Sequence, residues 1–137
     1  MSQDFLIEGN DFAGAGMVST SIKSILKKIG FDPVFIRRIA ISTYEAEMNV
    51  VMHARRAKVG LMVSPTLVEV ILDDEGKGIP DIDKAMQNGY TTATEEMRAL
   101  GFGSGMGLPN IDKNSDKLEI KSVVGVGTRL AIKFYVE

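Results

Sequence analysis

The chain has 137 residues, no cysteine and a formal net charge of −2. This length suits one domain with an ordinary hydrophobic core, and the lack of cysteine excludes disulfides, thiolate metal sites and cysteine nucleophiles. Acidic and basic residues are interspersed, so we expect no direct binding of nucleic acid. Apolar runs are too short for a membrane span and the start lacks a signal-peptide pattern, so we expect a cytoplasmic protein without membrane contact.

The first part of the sequence predicts one strand and two helices. Residues 5–7 form a short apolar run typical of a strand. Apolar residues then recur at helical spacing over residues 15–29 and stop at Gly30, a residue type that often follows a helix end. A second helix begins with Asp32 as N-cap and Pro33 as first helical residue, and it runs through "EAEMNVVMHARR".

Two β-hairpins are predicted in the rest of the chain. "KVGLMVS" and "TLVEVILDD" flank a turn at residues 64–65, and "KLEIKSVV" and "TRLAIKFYV" flank a turn at residues 125–127. Because strands joined in a hairpin are antiparallel, we expect a mainly antiparallel sheet with helices on one face. The predicted fold class is an α/β (α+β) two-layer sandwich, in a single domain over residues 1–137.

A long glycine-rich segment separates the two hairpins. Half of the 14 glycines fall between Gly76 and Gly107, and apolar residues are spread among them. Long glycine-rich loops in compact domains are usually functional or disordered, and the apolar residues favour an ordered lid, at about residues 86–106. After it, Leu108 and Ile111 predict a short helix.

The stretch "GFGSGMGLPN" at residues 101–110 is the centre of this segment. It contains no P-loop string, and it fails the dinucleotide fingerprint because the third glycine position is occupied by another residue. Backbone N–H groups of a Gly-x-Gly-x-Gly turn that leads into a helix start form an anion site. A lid hinge without a ligand is the alternative.

Two further segments carry polar groups of a useful kind. "DDEGKGIPD" has Asp74, Gly76 and Gly78 at a predicted strand end, a pattern that by itself fits a plain turn. On the long helix, Glu45 and Asn49 are four residues apart and share a face. A carboxylate beside an amide oxygen suits Mg²⁺ bound together with phosphates, whereas a solvated helix face is the alternative for this pair.

In this order and spacing, the segments resemble the ATP-binding boxes of the family of gyrase, Hsp90, histidine kinases and MutL, which has the Bergerat fold. "EAEMN" is similar to the N box, "DEGKGI" and "GFGSGMGL" to the two glycine boxes, and "GVGT" at residues 125–128 to the Gly-Thr motif. Within this family the chain is most similar to the small serine/threonine kinases of bacterial partner-switching systems, the anti-sigma factors and the stressosome switch kinase.

The resemblance implies ATP and Mg²⁺ as cofactors and assigns roles to single residues. Glu45 would be the general base, Asn49 the Mg²⁺ ligand, and Asp74 the acceptor of a hydrogen bond from the adenine amino group. The lid segment departs from the resemblance by being longer than in the compact switch kinases, and Arg98 within it is a candidate phosphate contact. The other residues expected to bind the nucleotide are Gly76, Gly78, Ile79, Gly103, Gly105, Met106, Gly107, Leu108 and Thr128.

The resemblance further implies ATP-dependent phosphorylation of a serine or threonine on a small antagonist protein, with a sigma factor or another regulator as a further partner. It also allows a homodimer. The alternative is an ATP-gated binding module that sequesters or activates a partner without catalysis; Glu45 favours the kinase, because a pure binder needs no base. Neither a dimerising helical hairpin nor a second domain is expected, which argues against a complete histidine kinase and the gyrase, Hsp90 and MutL branches.

Overall fold

The computed structural model describes residues 1–87 and 107–137, and within them it contains five strands and four helices. In chain order these are β1 (Ser2–Glu8), α1 (Met17–Ile29), α2 (Pro33–His53), β2 (Ala54–Val63), β3 (Leu67–Gly76), α3 (Ile82–Ala85), α4 (Gly107–Asn114), β4 (Lys117–Val123) and β5 (Gly127–Tyr135).

The strands form one sheet in the order β1-β2-β3-β5-β4, and every neighbouring pair is antiparallel. Both predicted hairpins are present, as β2-β3 and β4-β5. The first strand is longer than its apolar run at residues 5–7, because it pairs with β2 from Ser2 to Glu8. Hydrogen bonding to a neighbour extends a strand over residues that carry no apolar signal.

The core lies between the sheet and the helices. Alternate side chains of the central strands are buried on one face, where α2 contacts β1, β2 and β3. The opposite face carries charged pairs, such as Arg129 with Asp73 at 2.9 Å. This confirms the two-layer arrangement with helices on one face. The buried apolar set includes Val18, Ile22, Leu26, Ile36, Ile39, Val50, Ala57, Val59, Leu61, Val68, Val70, Leu72, Leu130, Ile132 and Phe134.

The ends of the first two helices follow the sequence signals closely. The helix α1 stops before Gly30, whose φ of 101° is a left-handed conformation that glycine adopts readily. Asp32 caps α2 by accepting hydrogen bonds from the N–H groups of Val34 and Phe35 at 3.0 and 3.3 Å. However, α2 ends at His53, and the residues up to Arg56 that were predicted as helix already belong to β2.

A side chain of α2 caps the N-terminus of α1. Gly16 precedes this helix and offers no side chain, and the carboxylate of Glu47 takes over the role. Glu47 is 1% exposed and accepts hydrogen bonds from the N–H groups of Gly16, Val18 and Ser19 at 3.0, 3.2 and 3.0 Å. An anion at a helix start also interacts favourably with the helix dipole. The first helix is therefore held on the second by one buried carboxylate.

The C-terminal end of α4 is fixed to α2 by Arg38. Its Nε donates to the carbonyl oxygen of Asn114 at 3.0 Å, and its Nη2 pairs with Oδ1 of Asp116 at 3.1 Å. The other oxygen of Asp116 accepts from the N–H of Tyr135 in β5 at 2.7 Å. These contacts place α4 across α2. No helix in the described ranges is both long and apolar enough to cross a membrane.

Candidate functional site

One half of the candidate site lies where three adjacent strands approach the same end of the sheet. Asp74 of β3 stands opposite Ala57 of β2, and its Oδ1 accepts a hydrogen bond from the N–H of Thr128 in β5 at 2.9 Å. Thr128 is in turn paired with Ser122 of β4. Asp74, Thr128 and Ser122 therefore form a polar row across three strands, where the inward face is otherwise apolar.

The environment of the Asp74 carboxylate changes its acidity. Partial burial raises the pKa of Asp74, the hydrogen bond from Thr128 opposes this rise, and the nearby charge of Asp73 adds to it. A half-buried carboxylate has lost part of its hydration and gains more from a hydrogen-bond donor than an exposed one does. Asp74 is thus suited to accept a hydrogen bond from a ligand.

The loop after β3 is pressed against the turn between β4 and β5. Gly78 has a φ of 77°, and a Cβ atom at this position would lie 2.5 Å from the carbonyl oxygen of Val123. The next residue, Ile79, donates its N–H to Oγ of Ser122 at 2.7 Å, and its side chain packs on the core. Both the conformation and the close contact require glycine at position 78. Gly76 also lies here, where a Cβ would be 3.1 Å from Oδ1 of Asp74.

The other half of the site lies between α2 and α4. Glu45 and Asn49 are half-buried on α2, and Gly107 begins α4 beside them. A Cβ atom at Gly107 would lie 3.3 Å from Oδ1 of Asn49 and 3.6 Å from Oε2 of Glu45. Asn110, one turn along α4, donates from Nδ2 to Oε1 of Glu45 at 3.5 Å. The structure therefore brings Glu45, Asn49 and Gly107 together, as the sequence predicts.

The N-terminus of α4 has the properties of an anion site. The first N–H groups of a helix have no partners within the helix, and they carry a partial positive charge. The side chain of Leu108 is buried in the core, so a ligand at this helix end would meet its backbone and not its side chain. The absence of a side chain at Gly107 leaves Asn49 and Glu45 accessible from this helix end.

Part of the predicted site falls on residues that the structure does not describe. Gly103, Gly105, Met106 and Arg98 lie outside the described residues, as does most of the predicted lid at residues 86–106. Just before it, the structure has a short helix that the sequence analysis does not predict. This helix, α3, is capped by Asp81, whose Oδ1 accepts from the N–H of Lys84 at 3.0 Å. An aspartate followed by a short polar-apolar run was its only sequence signal.

The described ranges contain no group of three or more His, Cys, Asp or Glu side chains that could hold a metal by themselves. A site with a single protein oxygen is nevertheless compatible with Mg²⁺. Mg²⁺ keeps several waters and takes one or two protein oxygens together with substrate phosphates. Asn49 Oδ1, which lies beside the start of α4, would be the protein oxygen of such a site.

Two residues of the site were missed in the sequence analysis. Ser122 follows Leu118 and Ile120 on the inward side of β4, so a polar residue in an alternating apolar series was its signal. Asn110 had no such signal, because its role depends on how α4 crosses α2. The described residues predicted to bind the nucleotide are otherwise gathered at the two halves of the site.

The chain is similar to a family model and to several known proteins. A family model described as the histidine kinase-like ATPase domain matches residues 13–134. The chain is 31% identical to the serine/threonine-protein kinase RsbT of Bacillus subtilis over 82% of each chain. It is 37% identical to the anti-sigma F factor of Caldanaerobacter subterraneus over 74% of this chain and 71% of that protein.

Among solved structures, the histidine kinase domain of a blue-light-activated kinase from Erythrobacter litoralis aligns with a TM-score of 0.47 and 18% identity. The alignment covers 88% of this chain and 60% of that one.

Proposed function

The chain belongs to the histidine-kinase-like ATPase family, and from this membership we propose that it is an ATP-dependent serine/threonine protein kinase of a partner-switching system. The observation that carries the proposal is the position of Glu45 beside Asn49 and Gly107. A Cβ atom at Gly107 would lie 3.6 Å from Oε2 of Glu45 and 3.3 Å from Oδ1 of Asn49. A carboxylate, a metal-binding oxygen and a helix N-terminus meet there. Relatives named as a serine/threonine-protein kinase and as anti-sigma factors support it.

The polar row at the strand ends is proposed to bind adenine. The carboxylate of Asp74 accepts the hydrogen bond of an exocyclic amino group, and Ile79 provides an apolar surface for the base. Gly76 and Gly78 keep side chains away from this space, since a Cβ at either position would lie within 3.1 Å of another atom. Thr128 completes this part of the site through its contact with Asp74.

The phosphates are proposed to lie at the N-terminus of α4. Backbone N–H groups from Gly107 and Leu108 donate to phosphate oxygens, and Asn49 provides the protein ligand of Mg²⁺. Gly103, Gly105 and Met106 are proposed to add N–H groups to the same cradle, and Arg98 to contact a phosphate. In this proposal residues 1–137 form one domain, with about residues 86–106 as the lid over the nucleotide.

Bound ATP supplies the γ-phosphoryl group, and the residues of the chain position and deprotonate the acceptor. Glu45 takes the proton of the serine or threonine hydroxyl as the new P–O bond forms and the bond to the ADP oxygen breaks. Asn110 donates to Oε1 of Glu45, and Oε2 lies near Gly107, where the phosphates are proposed to bind. Catalysis then rests mainly on positioning and on charge neutralisation.

The acceptor is proposed to be a small antagonist protein in the cytoplasm, and a sigma factor or another regulator is the second proposed partner. A homodimer is compatible with this arrangement. The identity of the partners depends on surfaces outside the nucleotide site.

Transfer of labelled γ-phosphate tests the proposed function. Proteins captured by the chain from a lysate of its own organism, with and without ATP, are incubated with the chain and γ-labelled ATP. We expect label on serine or threonine of a small captured protein, dependent on Mg²⁺. Nucleotide-dependent capture without any label would contradict the kinase and support the ATP-gated binding module instead.

Replacing Asp74 with asparagine is expected to separate ligand binding from stability. Asparagine keeps an oxygen for the Thr128 N–H but removes the charge, so ATP affinity should fall about 5- to 100-fold, the contribution of a charge-assisted hydrogen bond. Calorimetric titration measures this loss. The matched control is Asp73→Asn, because Asp73 is exposed and paired with Arg129 on the opposite face. An equal loss in both variants would contradict the adenine assignment.

The same substitution should not destabilise the unliganded protein at neutral pH. Because burial raises the pKa of Asp74, the folded protein binds this proton more tightly than the unfolded chain does. The corresponding stability is present below the unfolded pKa and is lost as the pH rises through the folded pKa. At pH 7 the ionised group therefore opposes folding, and urea unfolding of Asp74→Asn should give a free energy of unfolding at or above wild type.

A further inference from the structure

The hydroxyl of Ser122 takes part in three contacts at one end of the polar row. It accepts from the N–H of Ile79 at 2.7 Å, lies 2.8 Å from Oγ1 of Thr128, and lies 3.2 Å from the carbonyl oxygen of Gly127. Ser122 thus connects the loop after β3, the start of β5 and the hydroxyl of Thr128. The strand of Thr128 lies between the strand of Asp74 and the strand of Ser122.

The protons available to these atoms limit how the contacts can be made. A serine hydroxyl has one proton to donate and two lone pairs to accept with. Ile79 fills one lone pair, because a backbone N–H can only donate. Only one arrangement makes all three contacts hydrogen bonds. In it, the Ser122 hydroxyl donates to the carbonyl oxygen of Gly127, and the Thr128 hydroxyl donates to Ser122. Buried polar groups adopt the arrangement that satisfies most of them.

This arrangement uses the only proton of the Thr128 hydroxyl. The remaining lone pairs of Thr128 Oγ1 can then only accept hydrogen bonds. Asp74, whose Oδ1 is held by the Thr128 N–H at 2.9 Å, is an acceptor as well when ionised. The base-binding end of the site therefore presents acceptors from two adjacent residues and no hydroxyl donor from Thr128.

We propose that Ser122 is a specificity-determining positioning residue, which fixes the Thr128 hydroxyl as an acceptor so that the site selects a purine with an amino group at C6 over one with a carbonyl group at C6. The inference rests on the proposed function, since it concerns the same nucleotide site. The C6 amino group of adenine donates to such an edge, whereas the C6 carbonyl of guanine would face acceptors. Unpaired polar groups of this kind give strong discrimination.

A purely structural role for Ser122 predicts a different outcome. In that case Ser122 would only fasten Ile79 and the preceding loop, and its loss would weaken ATP and GTP binding alike. The two roles differ in the ratio of the two affinities. They also differ in whether Thr128 is needed for the effect.

Binding of ATP and GTP to wild type, Ser122→Ala, Thr128→Val and the double variant, measured by calorimetric titration, tests the proposal. In Ser122→Ala the freed Thr128 hydroxyl can donate to a guanine carbonyl, so the ATP-to-GTP affinity ratio should fall about 10-fold, as for one hydrogen bond gained or lost. Thr128→Val should lower the ratio similarly, and adding Ser122→Ala to it should change nothing more. Ser64→Ala, in an exposed turn, is the control and should keep the wild-type ratio.

An unchanged ratio in Ser122→Ala would overturn the proposal, and so would an unchanged ratio in Thr128→Val, which does not depend on whether Ser122→Ala folds. A fall caused by Ser122→Ala that persists when Thr128 is already replaced would also overturn it. Wild type that binds neither nucleotide would overturn the proposed function itself. Wild type that prefers ATP, together with an unaffected ratio in the variants, would overturn only the role of Ser122.

Discussion

Glu45→Gln is expected to lower phosphoryl transfer about 10²- to 10⁴-fold, the usual contribution of a positioned general base. The amide has the same shape as the carboxylate and can still accept from Asn110, but it cannot take the proton of the attacking hydroxyl. Asn49 and the start of α4 remain, so ATP affinity should stay within a few-fold of wild type. Single-turnover transfer of labelled phosphate and nucleotide titration measure the two quantities separately.

Asn49→Ala serves as the matched control, because it removes the proposed Mg²⁺ ligand from the same face of α2. It should weaken both Mg²⁺-dependent ATP binding and transfer, in contrast to Glu45→Gln. Transfer by Glu45→Gln at the wild-type rate would contradict the assignment of the base. A loss of ATP affinity as large as in Asn49→Ala would instead show that Glu45 contributes to binding.

Glu47→Ala is expected to lower the free energy of unfolding more than the other proposed substitutions. The reason is that Glu47 is 1% exposed and accepts three backbone hydrogen bonds. Its removal leaves the buried N–H groups of Val18 and Ser19 and the partly buried N–H group of Gly16 without the carboxylate. A buried N–H group left without a hydrogen-bond partner costs about 1–3 kcal/mol, so the free energy of unfolding should fall by about 3 kcal/mol or more. For a domain of this size the midpoint of thermal unfolding should fall by about 10 °C or more.

The exposed cap of α2 is the comparison for this substitution. Asp32→Ala removes a carboxylate that also accepts from backbone N–H groups, at Val34 and Phe35, but in contact with water. It should lower the free energy of unfolding by about 1 kcal/mol, as is usual for an N-cap. Similar losses in the two variants would contradict the structural role of the buried Glu47.

The order and pairing of the elements follow from local signals in the sequence. Asp32 with Pro33 predicts the start of α2, Gly30 predicts the end of α1, and two turns at residues 64–65 and 125–127 predict the hairpins. The end of α2 could not be predicted in this way. Residues 54–56 are compatible with a helix, and they become a strand because Ala54 pairs with Gly76 of β3 and Arg56 pairs with Glu8 of β1.

Some residues of the candidate site can likewise be predicted from local sequence patterns, whereas others depend on contacts between distant parts of the chain. Glu45 and Asn49 are recognisable because helical spacing places them on one face, and Asp74 because it ends a strand. Glu47, only two residues from Glu45, is buried against another helix, and no local pattern distinguishes a charged cap from a solvated side chain. Asn110 likewise acquires its role only because Arg38 fixes where α4 crosses α2.

The central claim is that the strand ends and the start of α4 form two parts of one ATP site. A crystal structure of the chain with Mg²⁺ and a non-hydrolysable ATP analogue tests it most directly. The account predicts the adenine amino group at hydrogen-bond distance, about 3 Å, from the carboxylate of Asp74. It also predicts Mg²⁺ on Asn49 and the γ-phosphate next to Glu45 and Gly107. A nucleotide bound elsewhere, or with its base at α4 and its phosphates away from Asn49, would contradict it.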